Sequence, residues 1–226
     1  MVMVFLLLSA GEVNQDVPLW KKLSYSIGYS GGLCWRGKDL MPYCPYMFCW
    51  EWPFYYLHSI ELSAIYPFGN GEGIEVGVGY GWAYWKEGGL RTDIWDYSDD
   101  LDIHLRWAID NFKAFSLYLS FINFKNGVDI GIEIIWSKAK GKERYYENWD
   151  LKESLITYRK GLGGGARISF QKALIFENVH LIPYIQARFA MSREIDSSSP
   201  WKEIWKDRLE LFFTGVYVGI KIKLGV

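Results

Sequence analysis

The chain ends on "LELFFTGVYVGIKIKLGV", Leu209 to Val226. From Val216 onward apolar residues fall on every second position: Val216, Val218, Ile220, Ile222 and Leu224. Between them stand Tyr217, Gly219, Lys221 and Lys223. A strand turns successive side chains to opposite faces, so this stretch reads as a strand with one apolar face and one face of small or charged groups. Lys221 and Lys223 then share a side away from the apolar one.

The same division recurs upstream. Leu23, Tyr25, Ile27 and Tyr29 oppose Ser24, Ser26, Gly28 and Ser30. Ile60, Leu62, Ala64 and Tyr66 oppose Ser59, Glu61 and Ser63. Ile74, Val76, Val78, Tyr80, Trp82 and Tyr84 oppose Glu75, Gly77, Gly79, Gly81 and Ala83. Leu101, Ile103, Leu105, Trp107 and Ile109 oppose Asp102, His104 and Arg106, and Val128, Ile130, Ile132, Ile134 and Trp136 oppose Asp129, Gly131 and Glu133. Later stretches set Arg167, Ser169 and Gln171, then Tyr184, Gln186 and Arg188, against apolar partners. Turn signals such as "PFGNGEG", "DN", "KNG" and "RKGLGG" separate the runs. Ten strands follow, near 20–31, 54–66, 73–86, 100–109, 112–123, 127–138, 152–159, 163–173, 179–193 and 207–224, with eight as the alternative count. No segment carries a helical period.

A soluble barrel or sandwich buries the apolar face; a transmembrane barrel turns it to lipid and lines its interior with the other. The composition of the second face separates the two. A solvated face carries Lys, Glu, Thr and Arg densely. Here that face is largely glycine, serine and alanine with isolated charges. Glycine weakens a solvated strand, whereas small residues fit beside a few large ones inside a narrow barrel. Parity puts Glu61, Glu75, Asp102, Asp129 and Glu133 inward with Arg106, Arg167, Arg188, Lys221 and Lys223; His104 shares that side. Such a balanced set reads as a lumen plugged by its own ion pairs, because buried charge is tolerated when paired. Tyr25, Tyr29, Tyr56, Tyr66, Tyr80, Trp82, Tyr84, Trp107 and Trp136 fall on the apolar face, where amphipathic rings favour a membrane interface. The expected fold is an all-β, antiparallel, up-and-down transmembrane β-barrel.

Composition agrees with this. Aromatic residues make up 18% of the 226 residues, far above ordinary usage, yet no apolar run reaches the length a membrane helix needs. A net charge of -1 gives no reason to expect nucleic acid. The run Val2–Leu8 followed by Ser9, Ala10 and Gly11 reads as a truncated signal segment over 1–11, although a basic n-region is missing. One barrel domain over 12–226 follows. Cys34, Cys44 and Cys49 permit at most one intramolecular disulfide, and spacing does not choose the pair. No histidine falls among them, so loop thiols with at most one bridge are favoured over a metal site; no cofactor is assigned.

The terminal stretch also resembles the last strand of bacterial outer-membrane β-barrel proteins. Gly219, with hydrophobic Ile222 and Leu224 three and five positions later and Tyr217 before it, matches the motif; the usual terminal phenylalanine is absent. The resemblance implies a small barrel in the outer membrane of a Gram-negative-type bacterium. It further implies contact with outer-membrane lipid, reading of this strand by the barrel-assembly machinery, and closure against the first strand.

Function is less legible. Some small barrels of this kind are lipid-modifying enzymes, but His58 faces away from Ser59 and Glu61, and His180 adjoins a tight turn. No serine stands at a triad-like spacing to a histidine, so no catalytic residue is assigned. The favoured expectation is a structural or interaction barrel that presents segment 32–53, "CWRGKDLMPYCPYMFCWEWP" within it, to an extracellular partner. A narrow passive pore, a barrel enzyme and a soluble lipocalin-like carrier are the alternatives.

Overall fold

The computed structural model describes residues 23–35, 54–68, 70–84, 91–98, 101–176, 179–201 and 210–224. The signal-like segment 1–11 lies outside them. Eleven strands form in chain order: β1 Ser24–Trp35, β2 Phe54–Pro67, β3 Glu72–Tyr84, β4 Arg91–Ser98, β5 Leu101–Asn123, β6 Val128–Glu147, β7 Asp150–Gln171, β8 Leu174–Phe176, β9 Val179–Ser197, β10 Glu210–Phe212 and β11 Gly215–Leu224.

Eight of them close a ring, β1-β2-β3-β5-β6-β7-β9-β11, and β11 pairs back with β1. Every adjacent pair is antiparallel. The closing seam runs from Tyr25 opposite Leu224 to Cys34 opposite Gly215. The last strand therefore meets the first, as the resemblance implied. The short strands extend ring strands: β4 continues along β5 where β3 ends, β8 pairs β9 at the end bearing the termini of the ring, where β1 begins at Ser24 and β11 ends at Leu224, and β10 precedes β11. An eight-stranded barrel has an interior just wide enough for its own side chains to fill.

The ring corrects the ten-strand count to the alternative of eight. Two expected breaks are not turns. Segments 100–109 and 112–123 are one strand, β5, and 152–159 and 163–173 are one strand, β7. The "DN" of Asp110–Asn111 is a bulge: Ile109 faces Gly141 and Asn111 faces Lys140, so Asp110 is an extra residue. One extra residue inverts side-chain parity along a strand. Below the bulge Phe112, Ala114, Ser116, Tyr118, Ser120 and Ile122 point inward; above it Leu105, Trp107 and Ile109 do. The expectation that Trp107 and its neighbours face lipid is overturned for this reason.

"RKGLGG" is likewise interior strand. Gly163, Gly164 and Gly165 lie between β6 and β9, and a Cβ at Gly163 or Gly165 would strike the carbonyl of Met191 or Phe189. Close backbone approach, not a turn, explains that glycine run.

The charged run at 139–151, which falls between the expected strands 127–138 and 152–159, is mostly strand. β6 and β7 meet through Asn148 and Trp149, with φ of 47° and 69°. A two-residue hairpin with both centres in the left-handed region is the turn that matches strand twist. Because β5, β6, β7 and β9 are far longer than β1, β2 and β3, one wall continues beyond the ring at the end away from the termini.

Deleting Asp110 should turn Leu105, Trp107 and Ile109 outward, and the barrel should lose several kcal/mol of stability, the scale of emptying a buried cluster. Asp110→Ala, which keeps chain length, should stay within about 0.5 kcal/mol of wild type. Urea titrations of the detergent-refolded chain check both.

Candidate functional site

The interior is a stack of charge pairs between walls of serine and glycine. Near the end bearing the termini, the Lys221 ammonium donates to both oxygens of Glu75 at 2.9 and 3.0 Å. Tyr118 also donates to Glu75, at 3.1 Å. Arg167 reaches Glu61 through Nη1 at 3.4 Å and Nη2 at 3.2 Å, and its guanidinium lies 3.9 Å from the Tyr118 ring centre. With its amide oxygen turned toward Arg167, Gln186 accepts from Nε and Nη2, each at 3.0 Å. Arg188 holds Glu133 through Nε and Nη2 in a two-point fork, the geometry guanidinium and carboxylate share. Ser169 donates to Asp129 at 3.0 Å, and Ser26 and Ser63 bond each other at 2.6 Å. Glu61, Glu75, Asp129, Glu133, Arg167, Arg188 and Lys221 are all buried, while Lys223 is half-buried at the rim.

Above the stack the lumen turns apolar. Cys34, Tyr55, Leu57, Leu105, Trp107, Ile109, Phe112, Ile135, Phe213 and Tyr217 pack into one cluster. Above it a further pair of acids meets one base: Arg159 binds Glu143 at 3.1 Å and Glu194 at 2.8 Å. Ser199 donates to Glu143 at 2.9 Å, and the Arg159 guanidinium stands 4.5 Å from the Trp107 ring. Sequence reading missed this group. Its signal was present in "KAKGKER", where Ala139, Gly141 and Glu143 alternate with Lys138, Lys140 and Lys142; the density of charge made it read as a turn.

Two expected lumen residues lie elsewhere. His104, itself buried, and Arg106 lie above the bulge on the face of β5 opposite Leu105, Trp107 and Ile109, where His104 stacks on Tyr146 at 5.1 Å and Arg106 lies 6.0 Å from the same ring. The parity inversion at Asp110 moved them. The side chain of Asp102 lies outside the described residues. Cys34 is a free, buried thiol within hydrogen-bonding distance of the Tyr217 hydroxyl, at 2.8 Å; Cys44 and Cys49 lie outside the described residues. Residues 36–53 of the expected surface loop do too, and Gly32–Trp35 belong to β1. In the terminal motif Tyr217 points into the lumen, Gly219 leaves room for the Tyr184 ring, and Ile222 points out; Leu224 pairs with Tyr25 through its backbone.

The outer surface is the inverse of a soluble protein's. Ile132 is 65% exposed and Val218 63%, while Glu75 is fully buried. Tyr25, Tyr29, Tyr56, Tyr80, Tyr84 and Trp136 also point outward. Along β6, Val128 to Lys138 rises roughly 25 Å at the usual pitch and tilt, the height of a barrel's lipid-facing band. The chain is an eight-stranded transmembrane β-barrel in architecture. His58 sits on this outer face, bonded to Tyr29 at 2.6 Å and stacked on Trp82 at 5.5 Å, whereas Ser59 faces the lumen. From Lys138 to Glu147 the protruding wall rises roughly another 25 Å. At its tip Trp149 is 67% exposed and Leu151 54%, and Ile156 and Ile195 are exposed below.

No known family pattern matches the chain, and no curated protein does. Among solved structures it is similar to Ail, the attachment invasion locus protein of Yersinia pestis, at 14% identity over 89% of this chain and 97% of that one, TM-score 0.40. It is similar to Neisserial surface protein A at 11% identity over 88% and 97%, TM-score 0.37. A major outer membrane protein of Thermus thermophilus gives 11% over 89% and 99%, TM-score 0.37. The barrel assignment stands on this chain's own ring of paired strands.

Breaking one lumen pair should cost far more than removing it whole. Arg167→Met leaves Glu61 buried without its base and should destabilise the barrel by about 3–5 kcal/mol. The double variant Arg167→Met, Glu61→Gln should recover part of that loss, with a coupling of about 1–3 kcal/mol in a double-mutant cycle. Urea unfolding in lipid vesicles, followed by loss of β-sheet circular dichroism, reads it.

Proposed function

We propose that the chain is a small bacterial outer-membrane barrel whose lumen is closed by its own side chains and whose protruding wall binds a protein partner at the cell surface. The observation that carries the reading is the contrast between the two ends of the strands. Within the apolar band, exposed hydrophobic side chains have lipid to meet. Above it they do not, yet Trp149 and Leu151 at the hairpin tip, and Ile156 below them, remain exposed on the wall. Large apolar side chains held out in water at a hairpin tip fit a binding surface, and tryptophan is among the residues that carry most binding energy.

The hairpin tip adds to this. Trp149 holds φ of 69°, a region where glycine is at ease and a bulky side chain costs about 1–2 kcal/mol. Strain kept at an exposed aromatic fits a recognition role. The wall is a five-stranded sheet, β4-β5-β6-β7-β9, anchored in the ring beneath it, so the tip is presented on a stiff support.

The lumen reading rests on the stacked pairs Lys221–Glu75, Arg167–Glu61 and Arg188–Glu133 and the apolar cluster above them. Such a filling opposes a pore. It also opposes a soluble carrier, which needs the apolar face to line a cavity.

Two measurements test the proposal. In planar bilayers the refolded barrel should give no steady open conductance; a stable open level would overturn the closed lumen. A photo-crosslinking amino acid at Trp149 should yield a discrete protein adduct on cells meeting the partner's natural source, and the same group at Ile132 should yield lipid adducts only. Indistinguishable adducts at both positions would overturn the interaction role. Trp149→Gly should stabilise the free barrel by about 1 kcal/mol while abolishing the adduct-forming contact in competition assays.

A further inference from the structure

The outer face of β6 changes character at one point. Below it stand Ile130, Ile132, Ile134 and Trp136; above it, on the same side, stand Lys138, Lys140, Lys142 and Arg144. At the change, three strands align like charges: Lys113 on β5 lies directly opposite Lys138, and Lys138 directly opposite Lys160 on β7. Facing residues in antiparallel strands have Cβ atoms about 5 Å apart, and like charges there repel. The protein neutralises one end of the row, where Lys160 binds Asp196 at 2.7 Å. Lys138 and Lys140 lie 5.0 and 5.8 Å from the Tyr158 ring, which orients them without cancelling their charge. Among the described residues Lys113, Lys138 and Lys140 have no carboxylate partner. A repulsive row maintained in this way calls for an anion from outside the chain.

Its height says which anion. The next outward row toward the termini, in the same register, is Phe115, Trp136 and Leu162, all exposed. One step of two residues, about 7 Å, separates these apolar side chains from the three ammonium groups. A ligand that touches both rows has hydrocarbon at one end and negative charge at the other. We propose that Lys113 and Lys138, with Lys140 above them and Lys160 shared with Asp196 at the end of the row, bind the phosphate groups of an anionic lipid in the surrounding leaflet, its acyl chains lying on Phe115, Trp136 and Leu162. A basic residue near such a surface adds a modest attraction, and three in one row bind phosphate jointly. The proposal rests on the membrane reading of the apolar band.

The test uses the full chain reconstituted in phosphatidylcholine nanodiscs containing bis-phosphorylated lipid A, then released into mild detergent and weighed intact by native mass spectrometry. Wild type should retain lipid A. The variant Lys113→Gln, Lys138→Gln, Lys160→Gln should retain about tenfold less or lower still; Lys152→Gln, a wall lysine outside the row, should retain it like wild type. Dephosphorylated lipid A should be held no better by wild type than by the triple variant. Undiminished lipid A on the triple variant, or equal retention of the dephosphorylated lipid, overturns the site. So does selective capture of the soluble polyanion sucrose octasulfate with no retention of lipid A. The gel shift between boiled and unboiled samples separates failures. Triple variant and wild type should both show it, and its absence in wild type would condemn the membrane reading instead.

Discussion

Every other feature depends on closure of the sheet. In hydrocarbon an unpaired backbone N–H or C=O costs several kcal/mol, so a sheet that crosses a bilayer must have no edge there. The seam between β1 and β11 removes the edge, with ten residue pairs in unbroken register from Tyr25–Leu224 to Cys34–Gly215. Only after closure does the inversion of polarity make sense. Side chains pointing out of a closed eight-stranded ring meet whatever surrounds it, and here they are valine, isoleucine, leucine and aromatic rings. Side chains pointing in must fill a space of fixed width, so serine and glycine stand beside arginine, glutamate and tyrosine.

The lumen charges follow from that confinement. A carboxylate inside a narrow barrel has little water to solvate it and needs a base within reach. The pairs span the ring instead of running along neighbouring strands: Glu61 on β2 meets Arg167 on β7, and Glu75 on β3 meets Lys221 on β11. Such pairs act as crossbars between distant strands and fix one register among the several a flat apolar face would allow. The wall above the band is held differently, by Arg159 between Glu143 and Glu194 and by Trp107 against that guanidinium. The barrel thus continues as a packed structure past the lipid, which gives the tip at Trp149 its support.

Much of this was legible as alternation. Where a strand keeps strict parity, as in β1, β2, β3 and β11, alternation separates its two faces, and Glu61, Glu75 and Lys221 stand on the buried one. Asp129, Glu133, Arg167 and Arg188 are buried on the same alternation. It failed where one residue was added. Asp110 carries no mark that separates a bulge from a turn, and its presence reverses His104, Arg106 and Trp107 together. The run from Lys138 to Asp150 failed for another reason: charge density usually means a solvated turn, and only pairing with β5 and β7 shows it to be strand. Which acid meets which base is set by the stagger of the closed ring, and no single strand contains that information. The lysine row on three strands is hidden for the same cause, since Lys113, Lys138 and Lys160 become neighbours only through register.

The central claim, that the isoleucine face meets hydrocarbon, is tested most directly by spin labels placed singly at Leu117, Ile132 and Val218 in lipid vesicles. Collision rates with oxygen, which concentrates in the bilayer, should far exceed those with a water-soluble nickel chelate at all three positions. Faster collision with the chelate at these sites would place that face in water and contradict the account.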